Sequence, residues 1–186
     1  MPRLSSSTRI VLILIALGAG IRIFRDAGFI PLPPNVAPIS ALALFSGALL
    51  PRRLTFVVPL TAMLMSDLVI GFYRLPVMMA VYAAFALSTL IGRQLQRQRT
   101  VPALIGASLI GSVLFFLITN GATWAFESMY VHTPIGLVQA YAAGIPFFRN
   151  TVLGDLGFTA MLFGVYELSV VYLRQRAALT PRAING

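Results

Sequence analysis

Apolar runs separated by short polar segments occupy most of this chain, and their length is the feature that most limits its fold. A membrane-spanning helix needs about 20 predominantly apolar residues, within a range of roughly 17–25. The runs predict spans near residues 10–25, 37–50, 54–73, 77–92, 101–120 and 150–173. Some of these are short, so we expect their ends to extend into flanking residues or the bilayer to thin locally. The pattern predicts an all-α membrane protein, a compact bundle of about six transmembrane helices.

The composition excludes several other classes of protein. Charged residues make up 10% of the 186 residues, against roughly 25% in an ordinary soluble domain. So few polar side chains cannot cover a soluble enzyme or a nucleic-acid-binding module. The chain has no cysteine, so disulfides and thiolate metal ligands are excluded. We expect a single transmembrane domain over residues 1–186, surrounded by lipid and without a nucleic-acid partner.

The arginines predict an orientation for the bundle. All 14 basic residues are arginine. With six spans and cytoplasmic N- and C-termini, ten of them fall in cytoplasmic segments and four outside, the bias that the positive-inside rule describes. The four outside are Arg22, Arg25, Arg74 and Arg149.

Two alternatives to this topology stay open. If residues 37–50 formed a re-entrant segment, five spans with an external N-terminus would give the same ratio of arginines. In the other alternative, residues 1–19 form a cleaved signal peptide, since Arg3 and Arg9 precede an apolar core that ends in small residues.

Two acids lie inside predicted spans at a similar depth. Asp67 is roughly 9 Å below the outer end of the third span, and Asp155 is roughly 8 Å below the outer end of the last. Asn120 closes the fifth span on the same side, and Asn35 precedes the second. An intramembrane carboxylate is costly and normally faces a cavity or a partner. These four side chains therefore predict a polar site near the outer face.

Each acid also has a purely structural interpretation. Asp67 could pair with Arg74 or Arg22, and Asp155 with Arg149, only to hold the helix ends. Acid–base catalysis by the two carboxylates is not favoured, since no nucleophile or metal-ligand spacing accompanies them. We expect no catalytic residue, no bound metal and no other cofactor.

Residues 121–149 are predicted to form an external loop that contains a short helix. The loop carries the only tryptophan and the only histidine, Trp124 and His132, with Glu127 and Tyr130 between them. Aromatic residues at a bilayer edge usually form an interfacial belt. The functional alternative is a lid with aromatic walls around a small ligand, to which Glu127, His132 or Asn120 gives polar contacts.

Small residues recur at a spacing of four, which permits close approach between helices. The pairs are Ala16/Gly20, Ala37/Ala41, Ala43/Gly47, Ala80/Ala84 and Ala107/Gly111. In a chain this rich in alanine and glycine, packing within the bundle is the first interpretation. Contact with another membrane protein is the second.

Four stretches resemble a family of uncharacterised bacterial membrane proteins, which is itself similar to the substrate-binding S components of energy-coupling-factor (ECF) transporters. They read PNVAPISALALFSGA over residues 34–48, SDLVIGF over 66–72, FLITN over 116–120 with Trp124, and YAAGIPFFRNT over 141–151 with Asp155. The resemblance extends over most of the chain, residues 10–173.

The resemblance implies a six-helix bundle with both termini in the cytoplasm and an outer site for a small nutrient such as a vitamin. Uptake would be driven by a separate coupling subunit, contacted through Ala16 and Gly20, and by ATPases. The implied substrate-binding residues are Asn35, Asp67, Asn120, Trp124, Glu127, Tyr141, Asn150 and Asp155. The sequence lacks a recognisable substrate signature and the His-rich motif of cobalt and nickel members. The alternatives are a structural or assembly membrane protein and, as a third class, an intramembrane enzyme.

Overall fold

Six α-helices and no β-strand make up the part of the chain that the computed structural model describes, residues 6–179. Side chains are described for residues 8–177. The helices are α1 (Ser6–Asp26), α2 (Ile39–Leu49), α3 (Val57–Ile70), α4 (Leu75–Gln94), α5 (Val101–Phe126) and α6 (Pro134–Leu179). The predicted all-α class is confirmed. Arg3 and Arg182, which enter the predicted orientation, lie outside the described residues, as does the beginning of the 1–19 signal-peptide alternative.

Three of the described helices, α4, α5 and α6, are long and apolar enough to cross a membrane. The helices α2 and α3 are apolar but have only 11 and 14 residues. At 1.5 Å per residue they rise roughly 16 Å and 21 Å, less than the roughly 30 Å of a bilayer's hydrocarbon core. Neither of these two helices is long enough to cross that core alone.

Successive helices run in opposite directions. Along α5 and α6, Ser112 meets Asp155 and Phe116 meets Phe148, so residue numbers rise in one helix as they fall in the other. Contacts between the other neighbours follow the same alternation. The helices α1, α3 and α5 therefore end where α2, α4 and α6 begin. We call this the upper end of the bundle and the opposite one the lower end.

The helix α2 forms the centre of the bundle. Every residue from Ile39 to Ala48 is buried, and α2 contacts the five other helices. Two glycines allow α2 and α4 to touch along their backbones. A Cβ atom on Gly47 would overlap the carbonyl oxygen of Thr89, and one on Gly92 would overlap that of Leu44. Close backbone approach at small residues is the usual way in which helices pack in membranes.

The structure corrects the predicted external loop over residues 121–149. Only residues 127–133 of that region are non-helical, and the predicted short helix is the first part of α6, which is continuous over 46 residues. Pro146 lies inside α6 and removes one backbone N–H from the hydrogen bonds of the helix. Packing against α5 supports this part of α6, where the Tyr141 hydroxyl donates to the Leu117 carbonyl at 2.9 Å.

The α2–α4 crossing predicts a strong effect of one added methyl group. We expect Gly47→Ala and Gly92→Ala each to lower the free energy of unfolding by at least about 1–3 kcal/mol, because backbone atoms cannot move aside as a side chain can. Thermal unfolding of the purified protein in mild detergent measures the loss.

Gly106→Ala is the matched control, because nothing lies within 4 Å of a Cβ added there. Alanine lowers the conformational entropy of the unfolded chain, so this variant should be as stable as the wild type or more stable by about 0.4–1 kcal/mol. Equal melting temperatures for Gly47→Ala and the wild type would contradict the close crossing.

Candidate functional site

A cavity of about 260 Å³ opens between α5, the middle of α6 and the segment that leads into α2. Four phenylalanine rings form much of its wall, and five polar side chains lie among them. The lining residues are Asn35, Phe115, Phe116, Thr119, Asn120, Thr123, Gly144, Phe147, Phe148 and Thr151. The structure therefore places Asn35 and Asn120, two of the predicted site residues, in one cavity at the upper end.

Three polar side chains of this cavity have already used a hydrogen-bond donor inside their own helix. The hydroxyl of Thr119 donates to the Phe115 carbonyl, and the amide of Asn120 donates to the Phe116 carbonyl, both at 2.8 Å. Thr151 donates to the carbonyl four residues before it at 3.0 Å. A hydroxyl has one hydrogen and two lone pairs, and an amide oxygen only accepts. The two threonine hydroxyls can therefore only accept a further hydrogen bond, whereas Asn120 has an acceptor oxygen and one remaining N–H.

Close packing of α5 on α6 shapes this wall of the cavity. Gly144 touches the side chains of Asn120 and Phe116 so closely that a Cβ atom would overlap Asn120 Oδ1. The ring of Tyr141 lies beside Phe116 at 5.5 Å between centroids, and its hydroxyl donates a hydrogen bond to the Leu117 carbonyl of α5. Tyr141, a predicted substrate-binding residue, thus ties α6 to α5 and is not among the residues that line the cavity.

The segment before α2 closes the cavity from the side. Asn35 has a positive φ of 65°, a left-handed conformation that asparagine tolerates better than most residues. Asn150 donates to the Pro34 carbonyl at 3.2 Å, and Gly154 leaves room for Val36 against α6. The predicted site residue Asn150 therefore holds the segment that carries Asn35.

A second cavity of about 190 Å³ lies on the other side of Asn35 and Phe115, which line both. Arg22, Arg25 and Tyr73 give it a polar wall.

Asp67 is closed off by protein partners. Its Oδ1 atom lies 2.9 Å from Arg22 Nη1, and its Oδ2 atom accepts a hydrogen bond from Tyr82 at 2.9 Å. The Nη1 hydrogens of Arg22 point to Ser66 Oγ and to Met63, so Oδ1 has ionic contact with Arg22 but accepts no hydrogen bond. Of the two structural pairings considered for Asp67, with Arg74 or with Arg22, the structure contains the one with Arg22.

Asp155 has hydroxyl partners and no cation. It is 2% exposed and receives a hydrogen bond from Ser112 at 2.7 Å, with Ser40 also in hydrogen-bonding contact. Among the described residues, no ion pair joins it to Arg149 or to another cation. Asp155 and Asp67 line neither of these two cavities, and a cavity bordered by both acids stays a prediction. Each carboxylate is enclosed by side chains of neighbouring helices.

The comparisons with known proteins identify a family and no function. A model described as a family of unknown function, DUF6580, matches residues 3–179. The chain belongs to the DUF6580 family. No curated protein and no solved structure matches it. The expected membership of an uncharacterised family is confirmed, and the likeness to S components stays a prediction.

Trp124 and Glu127 hold the turn between α5 and α6 in this DUF6580 protein. Trp124 Nε1 donates to the Val131 carbonyl at 3.1 Å, and its ring meets that of His132 edge-on at 5.9 Å. Glu127 lies 3.9 Å from Arg74, which joins the turn to the start of α4. Neither Trp124 nor Glu127 lines the cavities, so a role as a lid over them stays a prediction.

Several lining residues were missing from the predicted set. Each of three polar residues stands four positions after a phenylalanine: the pairs are Phe115/Thr119, Phe116/Asn120 and Phe147/Thr151. Residues four apart lie on the same face of a helix, so this repeated pair could have indicated an aromatic and polar wall. No group of three metal-ligating side chains of the His, Cys, Asp or Glu type occurs in the part of the chain that is described.

The Arg22–Asp67 pair predicts a large cost for removing either charge. We expect Asp67→Asn and Arg22→Gln each to destabilise the protein by about 3–5 kcal/mol, because the remaining charge stays enclosed without its partner. Thermal unfolding in detergent and the yield of folded protein measure this cost. Each single variant leaves one charge without its partner, whereas the Asp67→Asn/Arg22→Gln double variant leaves none. The double variant should therefore lose less free energy of unfolding than the two single variants added together.

Arg74→Gln provides the control, because the Arg74–Glu127 pair is long, at 3.9 Å, and more exposed. Such a pair contributes at most about 1 kcal/mol. An Asp67→Asn protein as stable as Arg74→Gln would contradict the structural role of the pair.

Proposed function

We propose that this protein is a substrate-binding subunit of an importer, of the S-component kind, which captures a small nutrient at the outer face of a bacterial inner membrane. The observation that supports this most directly is the cavity at the upper end. It combines aromatic walls with a few polar groups, the usual character of small-molecule sites. Its volume of about 260 Å³ suits a small molecule.

We propose further that the chain crosses the membrane six times, with the upper end outside, and that residues flanking the short helices α2 and α3 or a locally thinner bilayer complete those two crossings. The arginine ratio favours this orientation. The alternating helix directions support it, because they lead each helix from one end of the bundle to the other. The helix α2 is enclosed by the others, so its short length does not expose its ends to lipid, and neighbouring groups satisfy them: Gln96 donates to the Gly47 carbonyl at 2.8 Å.

A coupling partner would supply the energy in this proposal. The chain contains no lysine and therefore no phosphate-binding loop of the G-x-x-x-x-G-K-[ST] kind. On α1, Ala16 is exposed, and nothing lies within 4 Å of a Cβ placed on Gly20. This open face of α1 is where we expect a transmembrane coupling subunit to pack, with separate ATPases attached to that subunit.

The proposed orientation predicts the reactivity of two introduced cysteines. The chain has no native cysteine, so any label on the purified protein reports the introduced residue. We expect Ser128→Cys, in the turn between α5 and α6, to react with a membrane-impermeant maleimide in intact cells. We expect Gln98→Cys, in the turn between α4 and α5, to react only after lysis. The reverse pattern would show that the upper end faces the cytoplasm, and equal labelling of both would contradict a bundle that crosses the membrane.

The proposed binding site predicts that blocking the cavity removes a bound molecule. Thr123 lines the cavity from α5, so Thr123→Phe should fill part of it. We expect mass spectrometry of extracts from the purified wild type to detect a small molecule that Thr123→Phe reduces at least ten-fold. Ala125→Phe is the matched control, since Ala125 is exposed on the same helix and outside the cavity.

A molecule equally abundant in the wild type and in Thr123→Phe would be bound elsewhere and would contradict this site. A wild-type extract with no enriched molecule, from cells grown in rich medium and purified in mild detergent, would favour the structural or assembly role instead. Circular dichroism and melting temperature show whether both phenylalanine variants fold.

A further inference from the structure

The two cavities at the upper end are neighbours with different chemistry. Asn35 and Phe115 line both, so these two side chains stand between the cavities, and a ligand that extends from one into the other must contact them. The first cavity has aromatic rings and acceptor oxygens but no charged side chain. The second has two arginines and no acid in its wall. A ligand that fills both cavities needs two unlike ends.

The arginine end has an unmatched cation. Arg22 is paired with Asp67, whereas Arg25 is half-buried and makes no hydrogen bond or ion pair with any described side chain. Asp26 follows Arg25 and attracts its guanidinium group electrostatically, but it is exposed and forms no ion pair with Arg25, and solvent screens its charge. A guanidinium group binds a planar carboxylate through two parallel N–H bonds. One unmatched cation fits a ligand with one negative charge better than a doubly charged phosphate ester.

The opposite end favours N–H groups. The hydroxyls of Thr119 and Thr151 have each used their one hydrogen within their own helix, so they can only accept a hydrogen bond from a ligand. Asn120 adds an acceptor oxygen and keeps one amide N–H. Between the two ends, Phe115 stacks with Phe85 at 5.2 Å between ring centroids. A flat apolar body packs well against such rings.

We propose that the two cavities form one site for a small monocarboxylate with a flat body and an N–H donor at the far end. Arg25 binds the carboxylate, supported by Arg22, and the acceptor oxygens bind the donor. This inference rests on the proposed function, since it names the class of substrate for the same site.

A panel of acids and their matched amides tests the proposal. The probes are 4-aminobenzoate, indole-3-acetate and benzoate, each with the corresponding neutral amide. Each probe is added to the purified protein in detergent at concentrations up to about 10 mM, which is high enough to detect weak binding. Melting temperature and equilibrium dialysis measure binding. We expect at least one of the acids with an N–H donor to bind ten-fold or more tightly than its amide. We expect it also to bind more tightly than benzoate, which lacks the donor.

Two arginine variants separate the charge of Arg25 from the total charge of the protein. Arg25→Gln should weaken binding of the preferred acid at least ten-fold and leave binding of its amide unchanged. Arg149→Gln removes the same charge from α6 at a position that lines neither cavity, and it should leave acid binding unchanged. Equal binding of acid and amide by the wild type, an unaltered affinity in Arg25→Gln, or no binding of any acid would overturn the inference.

The cavity-blocking variant distinguishes this failure from failure of the proposed function. If amides bind as well as acids and Thr123→Phe abolishes both, the cavity binds small molecules and only the carboxylate class is wrong. If Thr123→Phe leaves acid binding unchanged, the acids bind outside the first cavity, and both the bipartite site and the proposed function at this cavity are wrong.

Discussion

The backbone contact between α2 and α4 determines how the remaining helices can pack. Because Gly47 and Gly92 have no side chain, α2 lies close enough to α4 for the other helices to surround it. A helix of 11 residues at the centre leaves polar groups at both ends that must find partners within the protein. At its lower end, Ser46 donates to the Thr55 carbonyl at 2.8 Å, which ties α2 to the segment before α3.

The two buried carboxylates are stabilised in different ways. Asp67 joins three elements through a cation and a phenol, since Arg22 lies in α1, Asp67 in α3 and Tyr82 in α4. Asp155 joins α6 to α5 through the hydroxyl of Ser112. In both cases the carboxylate connects helices that enclose the cavities, without entering them. A charge used in this way positions the walls of a site and leaves the contacts with ligand to other side chains.

The apolar runs were sufficient to predict the helical class and the approximate position of the helices, because every run is long enough to form one. The continuity of α6 could not be predicted, since Pro146 normally ends a helix and the contacts that support it, Tyr141 with Leu117, come from α5. The structure brings Asn35 and Asn120 together in the wall of one cavity. Depth along a helix does not specify the direction of a side chain around it, so the partners of Asp67 and Asp155 could not be derived.

The neutral cavity shows how a membrane protein can form polar contacts without enclosing charge. A threonine that donates its hydrogen to the carbonyl four residues earlier satisfies its own donor and needs no counter-charge. Thr119 and Thr151 both do this and still have lone pairs that face the cavity. Because no ion pair has to be broken there, a bound molecule can leave this end at a smaller electrostatic cost than from a site that encloses an unpaired charge. If the proposed importer role and the proposed carboxylate contact with Arg25 hold, the ligand has an ionic contact at the arginine end alone, which favours its release into a transport path.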